Sequence, residues 1–422
     1  MPNIYSDHRT CPRVLAVLLL LVLHSVFSPH NSSGQWEVDN VSAGNFLKGI
    51  AINPVTNKIY IANEHATNSW VIEIDGATGD TAIIPVYTDP HALAVNPATN
   101  QIFVLCRGLW ELGWVTIIDG STHQTENIPI SSHTSIPKAI VVNPVTNKAY
   151  VTGNGTERIE IIDGSSYTGS FIDAGGNQPW TLAVNPNTNK VFITMIAAGY
   201  GEPDSLWVIN GEDDSYERTI PLGQEPEAIA VNPDDNLIYV ANRNDSSVTI
   251  VDCSTWDTTL VRVKQFPSRV AVNPTTESPN RPWAWIGYDS GDTITAIVPG
   301  AEGQPPIAIN IGVGRGEHSL AIDQNRDLLY VTHLIADSLF VLNLLDVESK
   351  LSVGSQPGEV VANPLTGLAY VVNQANATVT VIKGDRPVTY STVAVGTYPV
   401  DVAYNPFTGK VYVVNSGGYE LV

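Results

Sequence analysis

VNPVTNKAYVTGN, residues 142–154, decides the architecture of this chain. A short apolar run enters Asn-Pro, a turn follows through Thr and a second Asn, and a β-branched and aromatic run leaves it. Pro presets φ for the turn, Thr and Asn bond back to the backbone, and the second Asn tolerates a left-handed conformation. Variants recur nine times. Asn-Pro pairs start at Asn53, Asn96, Asn143, Asn185, Asn232, Asn273, Asn363 and Asn405, and Asp323-Gln324 fills the slot once. Gly367 and Gly409 replace the second Asn in the last two units, as a left-handed position allows. The mean spacing of about 44 residues is that of repeats built from one supersecondary unit each.

Residues 91–130 show one unit in full. A small, apolar run at 92–95 leads into the Asn-Pro turn. The strand at 101–105 follows, then a polar loop and a third run at 114–118 closed by the turn signal Asp119-Gly120. The fourth run, 125–130, is more polar. Lost alternation in the first run marks a strand buried on both faces. No helical period of useful length follows the N-terminal segment. The expected fold is therefore all-β: a β-propeller of four-stranded antiparallel blades, with nine repeat units. Seven or eight blades with extra units, or a piece of a longer array, are the alternatives. Closure is also expected. Residues 36–43 resemble a fourth strand, 402–404 and 410–414 supply strands one and two of the last unit, and 419–422 a short third. Sharing the last blade between the ends removes an open edge. The sixth unit diverges most, with SPNRP inserted in its turn.

The segments NPVTNKIYIAN at 53–63, NPVTNKAYVTGN at 143–154, NPLTGLAYVVN at 363–373 and NPFTGKVYVVN at 405–415 resemble the YVTN-type propeller repeat. So do VTIID at 115–119, VTVIK at 379–383, and the VG-x-x-P connectors at 353–357 and 395–399. The resemblance implies a β-propeller of the kind found in bacterial periplasmic YncE-like proteins and archaeal surface-layer proteins. Those are mostly seven-bladed, so nine units depart from the pattern. Some YncE-like relatives are associated with DNA, but no shared catalytic motif carries over.

Acids outnumber bases 42 to 21, a net charge of −21. That balance disfavours nucleic acid and anionic lipid as partners. Arg9 and Arg13 precede an apolar run at 14–27, the length of a signal h-region and short for a bilayer span. Residues 1–28 are expected to be a signal peptide or N-terminal anchor, 29–35 a flexible linker, and 36–422 one propeller domain. The implied location is secreted, periplasmic or cell-surface, with no membrane contact beyond the leader and a monomeric state. Cys106 and Cys253 lie three units apart, so no bridge between them is expected.

Ligands of propellers usually meet the face that carries the fourth-to-first connectors and the second-to-third loops. The residue five before each Asn-Pro slot opens the axial strand on that face. In order these are Lys48, His91, Lys138, Trp180, Glu227, Ser268, His318, Gly358 and Val400. The repeat interior is nearly constant, whereas this ring changes chemistry from blade to blade, as a binding site requires. The second-to-third loops add Glu64, His65, Arg107, Trp110, Tyr200, Arg243, Asp289 and His333, and Glu317 stands beside His318. The expected ligand-binding set is Lys48, His65, His91, Arg107, Lys138, Trp180, Glu227, Arg243, Glu317, His318 and His333. The alternative is an ordinary solvated rim.

No nucleophile elbow, H-E-x-x-H, C-x-x-C, P-loop or dinucleotide fingerprint occurs, so no catalytic residue, metal or cofactor is assigned. The acidic loop 211–214 lacks EF-hand spacing. The Tyr and Phe stripe from Tyr60 to Tyr412 recurs once per unit and reads as packing. The composite reading is an exported binding or interaction scaffold for a protein, glycan or small ligand. The alternatives are a propeller enzyme resembling the streptogramin-lyase type, using Glu317, His318 or His91 for acid–base work, and a surface-layer or adhesion module.

Overall fold

A computed structural model places the chain in nine four-stranded antiparallel sheets, arranged as a β-propeller. It describes residues 25–28, 37–40 and 47–415, apart from stretches at 64–68, 76–77, 79, 108–112, 131–135, 156, 200–201, 274–282, 289–291, 301–303, 314–319, 324–327, 334–337, 344–345, 384–388 and 406–408. The first strands of blades 1 to 9 are Leu47–Asn53, Pro90–Asn96, Ile136–Asn143, Gln178–Asn185, Pro226–Asn232, Pro267–Val272, Leu320–Asp323, Pro357–Asn363 and Pro399–Tyr404. Blades 1 to 8 each take four consecutive strands.

The ninth blade joins the two ends of the chain. Pro399–Tyr404 and Val411–Asn415 pair with Ser25–Ser28, which pairs with Glu37–Asn40. The N-terminal strand within 36–43 thus closes the ring as expected. The third strand is a correction: it is Ser25–Ser28, within the segment read as leader. Residues 419–422 and the SPNRP insertion lie outside the described residues.

Nine apolar clusters fill the nine interfaces among the described residues. One packs Tyr60, Ala62 and Val71 of blade 1 on Leu93, Ile102 and Val104 of blade 2. Another packs Ile59, Ile61 and Ile72 of blade 1 on Ala403, Tyr412 and Val414 of blade 9, so the ring is closed. Each sheet therefore buries both faces, which is why second strands such as Gln101–Cys106 are buried throughout. Fourth strands such as Thr168–Asp173 form the exposed rim. The stripe Tyr60, Phe103, Tyr150, Phe192, Tyr239, Tyr330, Tyr370 and Tyr412 is fully buried between blades. Phe103 and Phe192 each contribute about 1.5–3 kcal/mol by leaving water, and each tyrosine less, because its hydroxyl is buried with it. Cys106 and Cys253 are free and buried, and burial pushes both thiols up to about 12.

The Asn-Pro asparagine has two tasks. Its Oδ1 accepts a bond from the backbone N–H two residues on, as in Val55 to Asn53 at 3.0 Å and Ala98 to Asn96 at 3.0 Å. In five blades its Nδ2 donates to the turn asparagine of the next blade, whereas Asn232 Nδ2 donates to Asp235 Oδ2 and the Asn273 carbonyl. Asn53 reaches Asn100 at 2.7 Å, Asn96 reaches Asn147 at 2.7 Å, Asn143 reaches Asn189 at 2.7 Å, and Asn185 reaches Asn236 at 3.0 Å. Asn405 of blade 9 bonds Asn57 of blade 1, carrying the series across the seam. The acceptors are held left-handed, with φ between 54° and 58°.

Where Gly replaces the acceptor, the series breaks. Asn363 is 1 % exposed and its Nδ2 has no partner among the described residues, because the turn of blade 9 carries Gly409. Gly409 has φ +71°, and a Cβ there would meet nothing within 4 Å. Gly409→Asn is expected to supply the missing acceptor and raise stability by at most about 1 kcal/mol, a typical net hydrogen bond less the cost of a left-handed L-residue, which Asn bears better than most. Urea unfolding of the variant against the parent checks this; an unchanged midpoint would mean that the amide is already satisfied.

Candidate functional site

The openings of seven of the described first strands are built alike. A Pro stands first in the described strands of blades 2, 5, 6, 8 and 9, and second in blades 3 and 4. Pro suits a strand start because no ladder bond is asked of its nitrogen. The register then shifts: between Pro90 and Ala92, Pro137 and Ala139, Pro179 and Leu182, Pro226 and Ala228, Pro267 and Arg269, Pro357 and Val360, and Pro399 and Asp401. Blade 1 shifts between Leu47 and Ile50. A bulge re-aims a side chain out of the ladder. The skipped residues include Lys48, His91, Lys138, Trp180, Glu227, Ser268, Gly358 and Val400, the ring singled out in sequence. The residue before Pro is left-handed in five blades: Asp89 at +62°, Glu225 at +51°, Phe266 at +60°, Gln356 at +53° and Tyr398 at +57°. This conformation is strained by about 1–2 kcal/mol for an L-residue. Two of the five, Phe266 and Tyr398, also expose an aromatic ring.

Three ring residues from successive blades touch. The Lys138 Nζ of blade 3 lies 3.0 Å from the centroid of the Trp180 ring of blade 4. The Trp180 Nε1–H donates to Glu227 Oε2 of blade 5 at 3.1 Å. The Trp180 backbone is pinned from both sides: its carbonyl accepts from Thr152 Oγ1 at 3.1 Å, and the next N–H, of Thr181, donates to Thr194 Oγ1 at 3.1 Å. Burial lowers the pKa of Lys138, and the Glu227 charge partly opposes that. His91 of blade 2 bonds through Nε2 to the Pro137 carbonyl at 3.0 Å, which requires the proton on Nε2. The arc from blade 2 to blade 5 thus reads His91, Lys138, Trp180, Glu227.

Elsewhere the ring is barer, with Ser268, Gly358 and Val400. There the following residue carries the charge: Arg269, Glu359 and Asp401, where the first arc has Ala92, Ala139, Thr181 and Ala228. Asp401 is 1 % exposed. Its Oδ1 accepts from the Val402 N–H at 2.6 Å, and its Oδ2 has no partner among the described residues. Burial, and then the Glu359 charge, raise its pKa well above the carboxylate range.

Of the remaining expected residues, Arg107 and Arg243 stand away from this cluster. Arg107 is exposed beside blade 2, with its N–H on the Asp89 carbonyl at 3.0 Å. Arg243 lies 3.5 Å from Glu225 and 5.3 Å from the centroid of the Phe266 ring, at the rim of blades 5 and 6. Lys48 and His333 have described backbones only, and His65, Glu317 and His318 lie outside the described residues. Among the described residues no group of three His, Cys, Asp or Glu could hold a metal ion. In the loop 211–214, Asp214 is occupied by Lys148 at 2.5 Å and by the Tyr150 hydroxyl at 2.6 Å. Sequence reasoning missed the charged second positions Glu359 and Asp401. Their signal was the exchange of Ala for an acid just after the ring residue.

No known family profile matches the chain, and no curated protein matches its sequence. Solved structures do. Dihydro-heme d1 dehydrogenase NirN, in complex with DHE, matches at 12 % identity with a TM-score of 0.57, over 79 % of this chain and 74 % of that one. The hydrazine synthase of Kuenenia stuttgartiensis matches at 17 % identity and TM-score 0.46, over 85 % and 100 %. A functionally unknown protein from Desulfotomaculum acetoxidans matches at 10 % identity and 0.43, over 67 % and 96 %. At its identity, the likeness to NirN is one of fold, a β-propeller, and of nothing more.

Proposed function

We propose that this propeller is an exported binding scaffold of the YVTN-repeat, YncE-like type, taking its ligand on the funnel face at Lys138, Trp180 and Glu227. The observation that carries the reading is the direct contact of these three side chains from three successive bulges. Packing alone does not call for a cation, an indole and a carboxylate at positions that hold Ser, Gly and Val in other blades. His91 stands beside them, and Arg107 and Arg243 lie at the rim; Lys48, His65, Glu317, His318 and His333 are proposed contributors on sequence alone. The proposed export leader ends before Ser25, because the closing blade uses Ser25–Ser28 as a strand. The net charge of −21 weighs against nucleic acid as the ligand.

A thermal-shift screen against glycans, small organic ligands, divalent metals and oligonucleotides tests the site, with parent, Trp180→Ala and Glu227→Gln compared. A ligand at about 100 times its Kd adds roughly 2.7 kcal/mol of stability by mass action. The expected hit stabilises the parent and leaves both variants near their unliganded midpoints. A ligand that stabilises the variants as much as the parent binds elsewhere, and the funnel assignment is then lost.

A further inference from the structure

We propose that the Trp180 face is the seat of an organic cation, a quaternary ammonium or a guanidinium, and that Lys138 occupies that seat until the ligand displaces it. The inference rests on the funnel-face reading and gives the ligand its chemical class.

Lys138 puts its Nζ 3.0 Å from the indole centroid and has no hydrogen-bond or ion-pair partner among the described residues. It therefore stands where a bound cation would stand. Trp offers the strongest attraction of any side chain for a cation over its face. Glu227 adds a carboxylate at the indole edge, bonded to the indole Nε1 at 3.1 Å, with its charge also felt by Lys138. The backbone bonds of Trp180 and Thr181 hold the platform in place when the lysine leaves.

The occupant is poorly suited to its place. A primary ammonium is strongly hydrated and asks for three hydrogen bonds, which a ring face cannot supply. Partial burial accordingly shifts Lys138 towards its neutral form. Guanidinium is more weakly hydrated, and a quaternary ammonium has no N–H to satisfy, so each loses less on the ring. The displaced lysine returns to water. The net charge of −21 raises the local concentration of any cation and lowers that of any anion.

The test turns on a sign. Tetramethylammonium and guanidinium are titrated by calorimetry into the full chain and its Lys138→Ala, Trp180→Ala and Glu227→Gln variants, with galacturonate as an anionic control. If Lys138 competes for the seat, its removal frees the binding-competent state and tightens cation binding by about threefold to tenfold. Trp180→Ala abolishes binding and Glu227→Gln weakens it. Lys138 is solvent-accessible and no hydrogen bond or ion pair among the described residues holds it, so the Lys138→Ala result stands even if Trp180→Ala disturbs folding. Cation binding that is weakened or unaltered by Lys138→Ala overturns the proposal, as does the absence of cation binding to the parent. Galacturonate bound by the parent and lost in Lys138→Ala also overturns it, while leaving the funnel as the binding face. A funnel site that takes neither charge is decided separately by the Trp180 and Glu227 variants in the wider screen.

Discussion

Gly211→Ala is expected to destabilise the protein by about 2–4 kcal/mol, from overpacking and a lost bridge together. Gly211 closes the third strand of blade 4 in an Asn-Gly turn, yet its φ is not positive. Glycine is needed there for close approach. A Cβ would fall 2.3 Å from Asn143 Nδ2, 2.4 Å from Asn189 Oδ1 and 2.9 Å from the Asn189 carbonyl oxygen. Those first two atoms are the 2.7 Å bridge between blades 3 and 4, and the third accepts the Gly211 N–H at 2.9 Å. A methyl group must therefore part the bridge and the turn together, and none of the nearby atoms is the free end of a long side chain. Gly312→Ala, in the outer strand of blade 6, is the control. Its added Cβ would meet nothing within 4 Å, and its expected effect lies within about 0.5 kcal/mol. Equal effects of the two substitutions in urea unfolding would show that the contact at Gly211 relaxes freely.

Asp401→Asn is expected to stabilise the protein by about 1–3 kcal/mol at pH 8, because the amide escapes the cost of a buried acid, about 1.4 kcal/mol for each pH unit over which only the folded chain holds the proton. The gain should vanish near pH 3. Burial and the Glu359 charge raise the folded-state pKa of Asp401, so the folded chain holds this proton more tightly than the unfolded chain. Below the ordinary carboxylate range both states are protonated and the group does not affect stability. As pH rises through that range towards the raised folded value, the unfolded chain ionises first and stability falls. Above the folded value the full penalty remains. Asn cannot ionise, so this part of the pH slope disappears with it. Unfolding free energies of parent and variant at pH 3 and pH 8 are the measurement. A variant advantage of the same size at both would remove ionisation as the cause.

Much of the fold was legible because the repeat states it nine times. The Asn-Pro slot, the left-handed second Asn with its Gly replacements, the buried aromatic stripe and the polar fourth strand follow from local rules that need no distant partner. What stayed hidden depends on other blades. The Asn-Pro asparagine read as a turn residue, which Asp, Ser or Thr can also be. Its second task, donating to the next blade, needs the amide, and Asn in eight slots of nine was the available clue. Gly211 belongs to a turn, but the atoms that forbid a side chain come from Asn143 and Asn189.

The Ser25–Ser28 strand was missed because it ends an apolar run that reads as a leader, and four residues give no period to count. At the site, the chemical variety of the ring was visible in sequence and its bulge geometry was not. The Pro before seven of the nine ring residues was the mark of it. That Lys138, Trp180 and Glu227 meet, while Arg107 and Arg243 stand apart, follows from which blades are neighbours and how each bulge aims its residue.

The shared ninth blade also sets a timetable. Ser25–Ser28 is made early, but its partner Val411–Asn415 follows roughly 380 residues later. At about 5–20 residues per second, that is a wait of roughly 20–80 s. During synthesis, blades 1 to 8 can stack in order as each emerges, since each takes consecutive strands. The N-terminal strands have no such neighbour and present an unpaired edge for the whole interval. Until Val411–Asn415 is made, Ser25–Ser28 has Glu37–Asn40 as its one partner strand in that blade.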